Sequence, residues 1–593
     1  MPSSSQPSDV PIRPCSVSVA EVIPGDLVAL TSEDVGRRRW YVVMHTLPES
    51  PEAIRVTLRP PLGGVDRDQL LGREREVVVA CRRMDVDGVP FVSSVSLDDV
   101  EFRDGDLVTS LRAVDPQAVE VTYVRRWGGW HRREQLDDGA GEAVSDAVVR
   151  GWAAGADRDG IVVRHLPRPV REAVVGGVRR VVVTGLGAVS PLGVGVGELW
   201  RGLVEGRHGI RELEGEEFGA LPVRVAGVVP VDVGELLPRA VGRRMNRAAQ
   251  FAVLAAREAW GDAGFVAGGT RESGLDPERV GVSLGAILGD ASVLVGGDRK
   301  LREKGPRAVS PLTTPMTVPS QAASQVSLDL HITGEARTVT SACASGTEAI
   351  GQAVDRIRYG RVDVALAGGA EAVVTPAIMA SFAAMRALST AGLDEGSPSR
   401  PFAKARDGFV NGEGAGVLVL EAEEHARARG ARIYCEAAGW GLSADAHHMA
   451  APDPSGSGIA LALRRAVRDA GGHVVDVVHV NAHATATVDG DLAEAGALRA
   501  VLGRRSVPVT ALKGHLGHLQ GAAGGVEAVA TALTLHHGVV PPTVGCDEVD
   551  DAIGLDVVRG TARALPEDGD LALSNSFGFG GHNAVLALRR VVR

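Results

Sequence analysis

One short stretch constrains this chain more than any other. It runs Thr340-Ser341-Ala342-Cys343-Ala344-Ser345-Gly346-Thr347-Glu348. The β-branched Thr338, Val339 and Thr340 before it predict a buried strand. Residues 349–357 after it carry helical periodicity. Cys343 is therefore expected on a strand-to-helix turn, at the amino end of the helix. Unpaired N–H groups and the helix dipole there favour a thiolate. Small neighbours leave room for a substrate to reach the sulfur. A lone cysteine is equally compatible with a buried core position, so the remaining sequence has to decide between core and nucleophile.

Three later stretches carry complementary chemistry. Val480 to Thr487 holds His483 and is followed by Gly490-Asp491. Lys513 to Gly524 holds His515 and His518, each preceded by glycine, and Glu527 follows. Asn575 to Asn583 reads Asn-Ser-Phe-Gly-Phe-Gly-Gly-His-Asn. With Cys343, and in this order, these stretches resemble the β-ketoacyl-acyl-carrier-protein synthases, condensing enzymes of the thiolase fold, and most closely the synthase II type. The resemblance covers residues 179–593. It implies a five-layered α-β-α-β-α domain in two similar halves, about 179–430 and 431–593, although no sequence repeat is visible between them.

The chain has 593 residues, which predicts more than one domain. A net charge of −11 argues against a nucleic-acid binder. The five cysteines are scattered without metal-ligand spacing, which suits a reducing cytoplasm. Residues 1–15 read as a disordered tail, with no apolar core of a signal peptide. No apolar run reaches the ~20 residues of a membrane helix. Residues 16–170 read as a β-rich domain of no recognised family. Its β-branched runs lie at 26–30, 40–44, 54–58, 77–80, 107–111 and 119–123, with a helix expected over 141–153. Trp40, Trp127, Trp130 and Trp152 are expected in its core rather than on a binding face.

From Arg180 onward strands and helices alternate, which predicts an α/β unit with largely parallel sheets. Val181 to Val183 read as a central strand buried on both faces. Gly185 and Gly187 suggest a dinucleotide loop, but the third glycine of that fingerprint is missing.

The resemblance implies a decarboxylating Claisen condensation. Cys343 would take an acyl group from a thioester, and a malonyl thioester would then lose carbon dioxide and attack it. The chemistry needs hydrogen-bond donors at the thioester oxygens, and no metal or redox cofactor. By resemblance, His483 and His518 are those donors as neutral imidazoles, and Lys513 with Glu527 is a buried charge pair that orients them. Asp491, Glu494, Thr485 and Thr487 are supporting residues, with surface salt bridging still open for Glu494. Cys343, Phe579 and Gly580 form the oxyanion hole and gate. Leu288 and Phe382 line the acyl pocket. Arg243, Arg244, Arg307 and Arg386 receive an acidic acyl carrier protein, and the domain is a homodimer or pairs with a related subunit.

Some positions depart from the family pattern. Ala484 stands where glycine is usual, Ala403 replaces an aspartate, and His582 replaces a small residue; Ala484 and His582 are expected to crowd the site. A degradative thiolase would need a second cysteine in the Phe577–Asn583 loop, which has none. Type III condensing enzymes would have asparagine where His518 stands. A catalytically silent, chain-length-determining subunit would lack Cys343. Fatty-acid and polyketide elongation both stay open.

Overall fold

The computed structural model describes residues 178–503 and 505–591 and, ahead of them, the backbone of ten strands between Pro14 and Arg164. The chain divides into two compact units, Met1–Val170 and Arg171–Arg593. In the first, six strands form one antiparallel sheet and four form another. They overlap all six β-branched runs noted above and add Pro14–Ser18, Arg67–Gly72, Gly129–Arg132 and Ile161–Arg164. Strand Pro14–Ser18 takes up the last two residues of the expected tail; residues 1–13, the helix over 141–153 and the four tryptophan side chains lie outside the described residues.

The second unit is built on ten principal strands. They are β1 (Val181–Ser190), β2 (Val280–Gly285), β3 (Glu335–Val339), β4 (Val364–Glu371) and β5 (Gly414–Ala422), then β6 (Cys435–Ala444), β7 (Val477–Asn481), β8 (Pro508–Thr510), β9 (Leu571–Gly578) and β10 (His582–Arg589). The first five lie in the order β3-β2-β4-β5-β1 and the second five in the order β8-β7-β9-β10-β6. These are the same order. The strand directions repeat as well: β2 is parallel to β3 and β4, and β7 to β8 and β9, while β5 and β10 are antiparallel to both neighbours. The halves meet where β1 pairs with β6 through Val182–Glu436 and Val183–Cys435. The duplication absent from the residues is thus present in the topology. The sheets are mixed, and the expectation of largely parallel sheets is corrected, because β5 and β10 each enter antiparallel between two strands.

Six helices complete the layers: α1 (Arg247–Asp262), α2 (Gln321–Asp329), α3 (Ser345–Arg358), α4 (Ser457–Asp469), α5 (Val488–Leu502) and α6 (Ala523–His537). Helices α3 and α6 pack on each other and on both half-sheets. A middle-layer helix has no solvent face, so its sequence should be apolar all round. Accordingly every residue of α6 from Ala523 to Leu535 is buried. On the outer faces α1 and α2 cover the first half-sheet, and α4 and α5 pack over the second. The result is the α-β-α-β-α stack. The glycines of β1 serve this packing: a Cβ at Gly185 would lie 2.1 Å from the Ala259 carbonyl oxygen, and one at Gly187 only 1.9 Å from that of Ala255. They let α1 approach β1, which accounts for them without a nucleotide. Among the described residues no helix is long and apolar enough to cross a membrane.

Candidate active site

The turn between β3 and α3 is tightly specified. Ala342 takes φ +50°, a left-handed conformation costly for a residue with a Cβ. Ser345 holds the turn: its hydroxyl donates to the Ala342 carbonyl at 2.6 Å and accepts the Ser341 N–H at 2.9 Å. Cys343 follows the strained residue and is 6% exposed. Its sulfur opens into a cavity of about 460 Å³ whose wall includes His483, His518, Phe409, Gln520 and Phe579.

The sulfur and one ring nitrogen from each of His483 and His518 lie within 4.8 Å of one another. The two rings stand nearly perpendicular, with centroids 5.4 Å apart. His483 follows the end of β7, in a loop whose backbone is clamped by Glu494. That carboxylate accepts the N–H groups of His483 at 2.9 Å and Ala484 at 2.7 Å, and the side-chain amide of Asn575 at 2.9 Å. Glu494 is 1% exposed, so the surface salt-bridge alternative is corrected: it is an internal brace. Asp491 does the same for the next turn, accepting N–H groups from Phe402 and Ala486. Burial pushes its carboxyl up to about 7. The Thr485 and Thr487 hydroxyls lie 3.0 Å apart on the cavity wall.

His518 sits between the short turn Lys513–Leu516 and α6. Its Nδ1 accepts the backbone N–H of Gln520 at 3.3 Å, so a neutral ring carries its proton on Nε2. That nitrogen is buried and has no partner among the described residues. Burial, then the Lys513 charge, holds His518 well below the ordinary histidine range. Burial, Lys513 and His518 do the same for His483. Both rings are therefore neutral donors near neutral pH. Lys513 itself is buried in an ion pair with Glu527. His515 points elsewhere, with its ring nitrogens 2.7 Å from the carbonyls of Arg207 and Pro542.

The electrostatics at Cys343 correct one expectation. Burial pushes its thiol up to about 11, and the opposing Lys513 charge and the backbone N–H groups of Phe579 and Cys343 do not cancel this. Cys343 is a thiol at neutral pH, because desolvation outweighs the turn's dipole. Those two N–H groups converge on the sulfur, and Gly578 makes the convergence possible: a Cβ there would lie 2.9 Å from the Cys343 nitrogen. Gly580 differs from expectation. Its N–H donates to the Met449 carbonyl at 2.9 Å and is not available to a substrate oxygen. Its φ of +82° instead shapes the loop after Phe579.

A sulfur with two imidazoles is also a zinc-like donor set. The fit is poor here: the proton on His518 Nε2 makes that nitrogen a donor, and His483 Nδ1 has no partner to support ligation.

Other expected residues fall outside this wall. Leu288 is exposed, after β2, and does not line the cavity. Phe382 packs edge-on against Phe409 at 5.2 Å, and Phe409 is the aromatic that faces the cavity. His582 is exposed and is not part of the wall, whereas Ala484 is. Arg386 lies on the cavity wall, and Arg243, Arg244 and Arg307 are exposed. The sequence reading passed over Glu371, which accepts N–H groups from Ile287, Leu288 and Gly289 beneath the site. Its signal, a lone acid ending a glycine-rich strand, was present but ambiguous.

Residues 178–426 match the family model "Beta-ketoacyl synthase, N-terminal domain", and 434–547 match "Beta-ketoacyl synthase, C-terminal domain". A 3-oxoacyl-[acyl-carrier-protein] synthase 2 of Vibrio harveyi is 42% identical over 417 residues, covering 70% of this chain and 99% of the relative. The corresponding protein of Staphylococcus aureus strain COL is 41% identical over 415 residues, covering 70% and 98%. Among solved structures, a beta-ketoacyl synthase from Burkholderia phymatum STM815 superposes with a TM-score of 0.63 at 36% identity, over 70% of this chain and all of that one. A type II PKS acyl-carrier protein in complex with its ketosynthase gives 0.64 at 34% identity, again over 70% and 100%.

Proposed function

The chain belongs to the β-ketoacyl synthase family, and from that premise we infer how its own residues carry out the condensation. It is an acyltransferase of the 3-oxoacyl-[acyl-carrier-protein] synthase class, acting in fatty-acid or polyketide elongation. The observation that carries the residue-level reading is the approach of Cys343, His483 and His518 to within 4.8 Å in one cavity.

In the first step the Cys343 sulfur attacks the acyl thioester carbonyl. The N–H groups of Cys343 and Phe579 hold the oxyanion, and the thiol proton goes to the departing carrier sulfur. In the second, a malonyl thioester loses carbon dioxide while His483 and His518 donate to its carbonyl oxygen. The resulting enolate attacks the acyl-enzyme carbonyl, forming the C–C bond and breaking the Cys343 S–C bond, and the released thiolate takes up a proton from solvent to restore the thiol. Burial, reinforced by the charge of Lys513 held by Glu527, keeps both imidazoles neutral, which leaves them as donors through the cycle. Asp491 and Glu494 fix the His483 loop, and Thr485 and Thr487 present hydroxyls to the incoming thioester arm. Phe579, 37% exposed on a glycine-flanked loop, gates the acyl chain.

Arg243, Arg244, Arg307 and Arg386 form the docking surface for an acidic carrier protein. None of the four is in an ion pair among the described residues, which suits steering of such a partner. Leu288, Leu294 and Val295 are exposed apolar residues in one short stretch, and a two-fold partner covering them makes the working unit a dimer. The test is reconstitution: the protein, an acyl-carrier thioester and a malonyl-carrier thioester should give a β-ketoacyl product two carbons longer with release of carbon dioxide. Carbon dioxide release or product formation that survives in a His483→Ala, His518→Ala double variant would refute this reading.

A further inference from the structure

The Gln520 side chain is not used by the chemistry above, yet the residue touches both halves of it. Its backbone N–H fixes the His518 tautomer, and its side-chain oxygen accepts the Cys343 S–H at 3.8 Å. The residue is 4% exposed and takes φ +53°, where a side chain is disfavoured. The orientation of its amide is set by a chain of contacts. Asn411, fully buried, donates from Nδ2 to the Val373 carbonyl at 3.3 Å, so its Oδ1 faces the other way. That oxygen accepts Gln520 Nε2 at 3.0 Å. The NH₂ end of Gln520 is thereby committed, and the carbonyl end is left facing the sulfur on the cavity wall.

We propose that Gln520 is a specificity-determining residue which favours acyl groups that carry a hydrogen-bond donor close to the thioester carbonyl. The proposal rests on Cys343 being the acyl acceptor. Acyl transfer forms the Cys343 S–C bond and breaks the carrier S–C bond, and the thiol hydrogen leaves with the carrier sulfur. Gln520 Oε1 then loses the donor it had in the free enzyme, inside a cavity where an unmatched acceptor is costly. Rotating the amide would set two oxygens, Oε1 and Asn411 Oδ1, against each other. A 3-hydroxyacyl group restores the missing donor, and a saturated acyl group does not. The Cys343–Gln520 contact thus acts as a selector at the step that erases it.

The experiment is a competition. The full-length protein receives equal amounts of the butanoyl and 3-hydroxybutanoyl thioesters of N-acetylcysteamine, and the acylated Cys343 peptide is quantified by mass spectrometry. The wild type should take up the 3-hydroxybutanoyl group in about tenfold preference. Gln520→Met keeps the length without the acceptor, and should remove or reverse that preference while Cys343 is still acylated. Equal incorporation of the two groups in the wild type overturns the proposal, whether or not the variant folds. So does a preference unchanged in Gln520→Met. Acyl groups found only on other residues would overturn the nucleophile assignment, and the proposal with it.

Discussion

Glu494 holds His483 by its backbone: the carboxylate, itself buried, accepts the His483 N–H at 2.9 Å. The same carboxylate also binds Ala484 and Asn575. Removing it leaves three buried donors unmet. Glu494→Ala should therefore cost about 3 kcal/mol or more of stability and disorder the His483 loop. Glu494→Gln, which retains one acceptor oxygen, should cost clearly less. Urea unfolding of the two variants checks the order; equal midpoints would contradict the bracing role.

His518 and His515 separate chemistry from structure. His518→Ala removes an Nε2 donor with no protein partner, so malonyl decarboxylation should fall about 10²–10³-fold with acylation of Cys343 less affected. His515→Ala instead deletes contacts to the Arg207 and Pro542 carbonyls. It should lower stability by about 1–3 kcal/mol and leave turnover of the folded enzyme near normal. Decarboxylation rates, with folding verified by circular dichroism, distinguish the two; the reverse pattern would exchange their roles.

Acid sensitivity should trace in part to His479 on β7. Burial pushes its ring down to about 3, and neither nitrogen has a hydrogen-bond partner among the described residues. In the unfolded chain a histidine titrates near 6.5. Between about pH 6.5 and 3 the unfolded state binds the extra proton, so this group's contribution is complete above that window and is lost as pH falls through it. His479→Leu should flatten the decline by about 1.4 kcal/mol per pH unit. Unfolding midpoints of wild type and variant at pH 7 and pH 5 measure the difference, and parallel pH curves would contradict it.

A chain beginning at Arg171 should fold and dimerise without the first unit, since α3 and α6 lie between two sheets that are both its own. Light scattering at the mass of two chains is the expected result; a monomer or an aggregate would count against it.

The site was legible in sequence where its chemistry sits in continuous stretches. Cys343, His483, His518 and Phe579 each lie in a short run whose small residues allow close approach, and the fold brings those runs to one cavity. What escaped was set by partners distant in the chain. Glu494 was expected as a supporting acid, and only the folded His483 loop shows it as an internal brace rather than a surface ion pair. Gln520 acquires an orientation only through Asn411 and Val373, more than a hundred residues earlier. Phe382 was expected on the cavity wall and Phe409 stands there instead, because the tertiary packing of the two rings sets Phe382 behind Phe409. The thiol's protonation was misjudged because the turn's dipole can be read from the sequence and the depth of burial cannot. The duplicated strand order left no residue repeat, since α/β packing constrains apolar character and direction more than identity.

The most direct test of the account is the site of acylation. The wild type, incubated with an acyl-carrier thioester and digested, should carry the acyl mass on the peptide containing Cys343, and Cys343→Ala should carry none while still releasing some carbon dioxide from malonyl-carrier through His483 and His518. An acyl group on Cys81 or Cys435 of the wild type, or acylation persisting in Cys343→Ala, would contradict it.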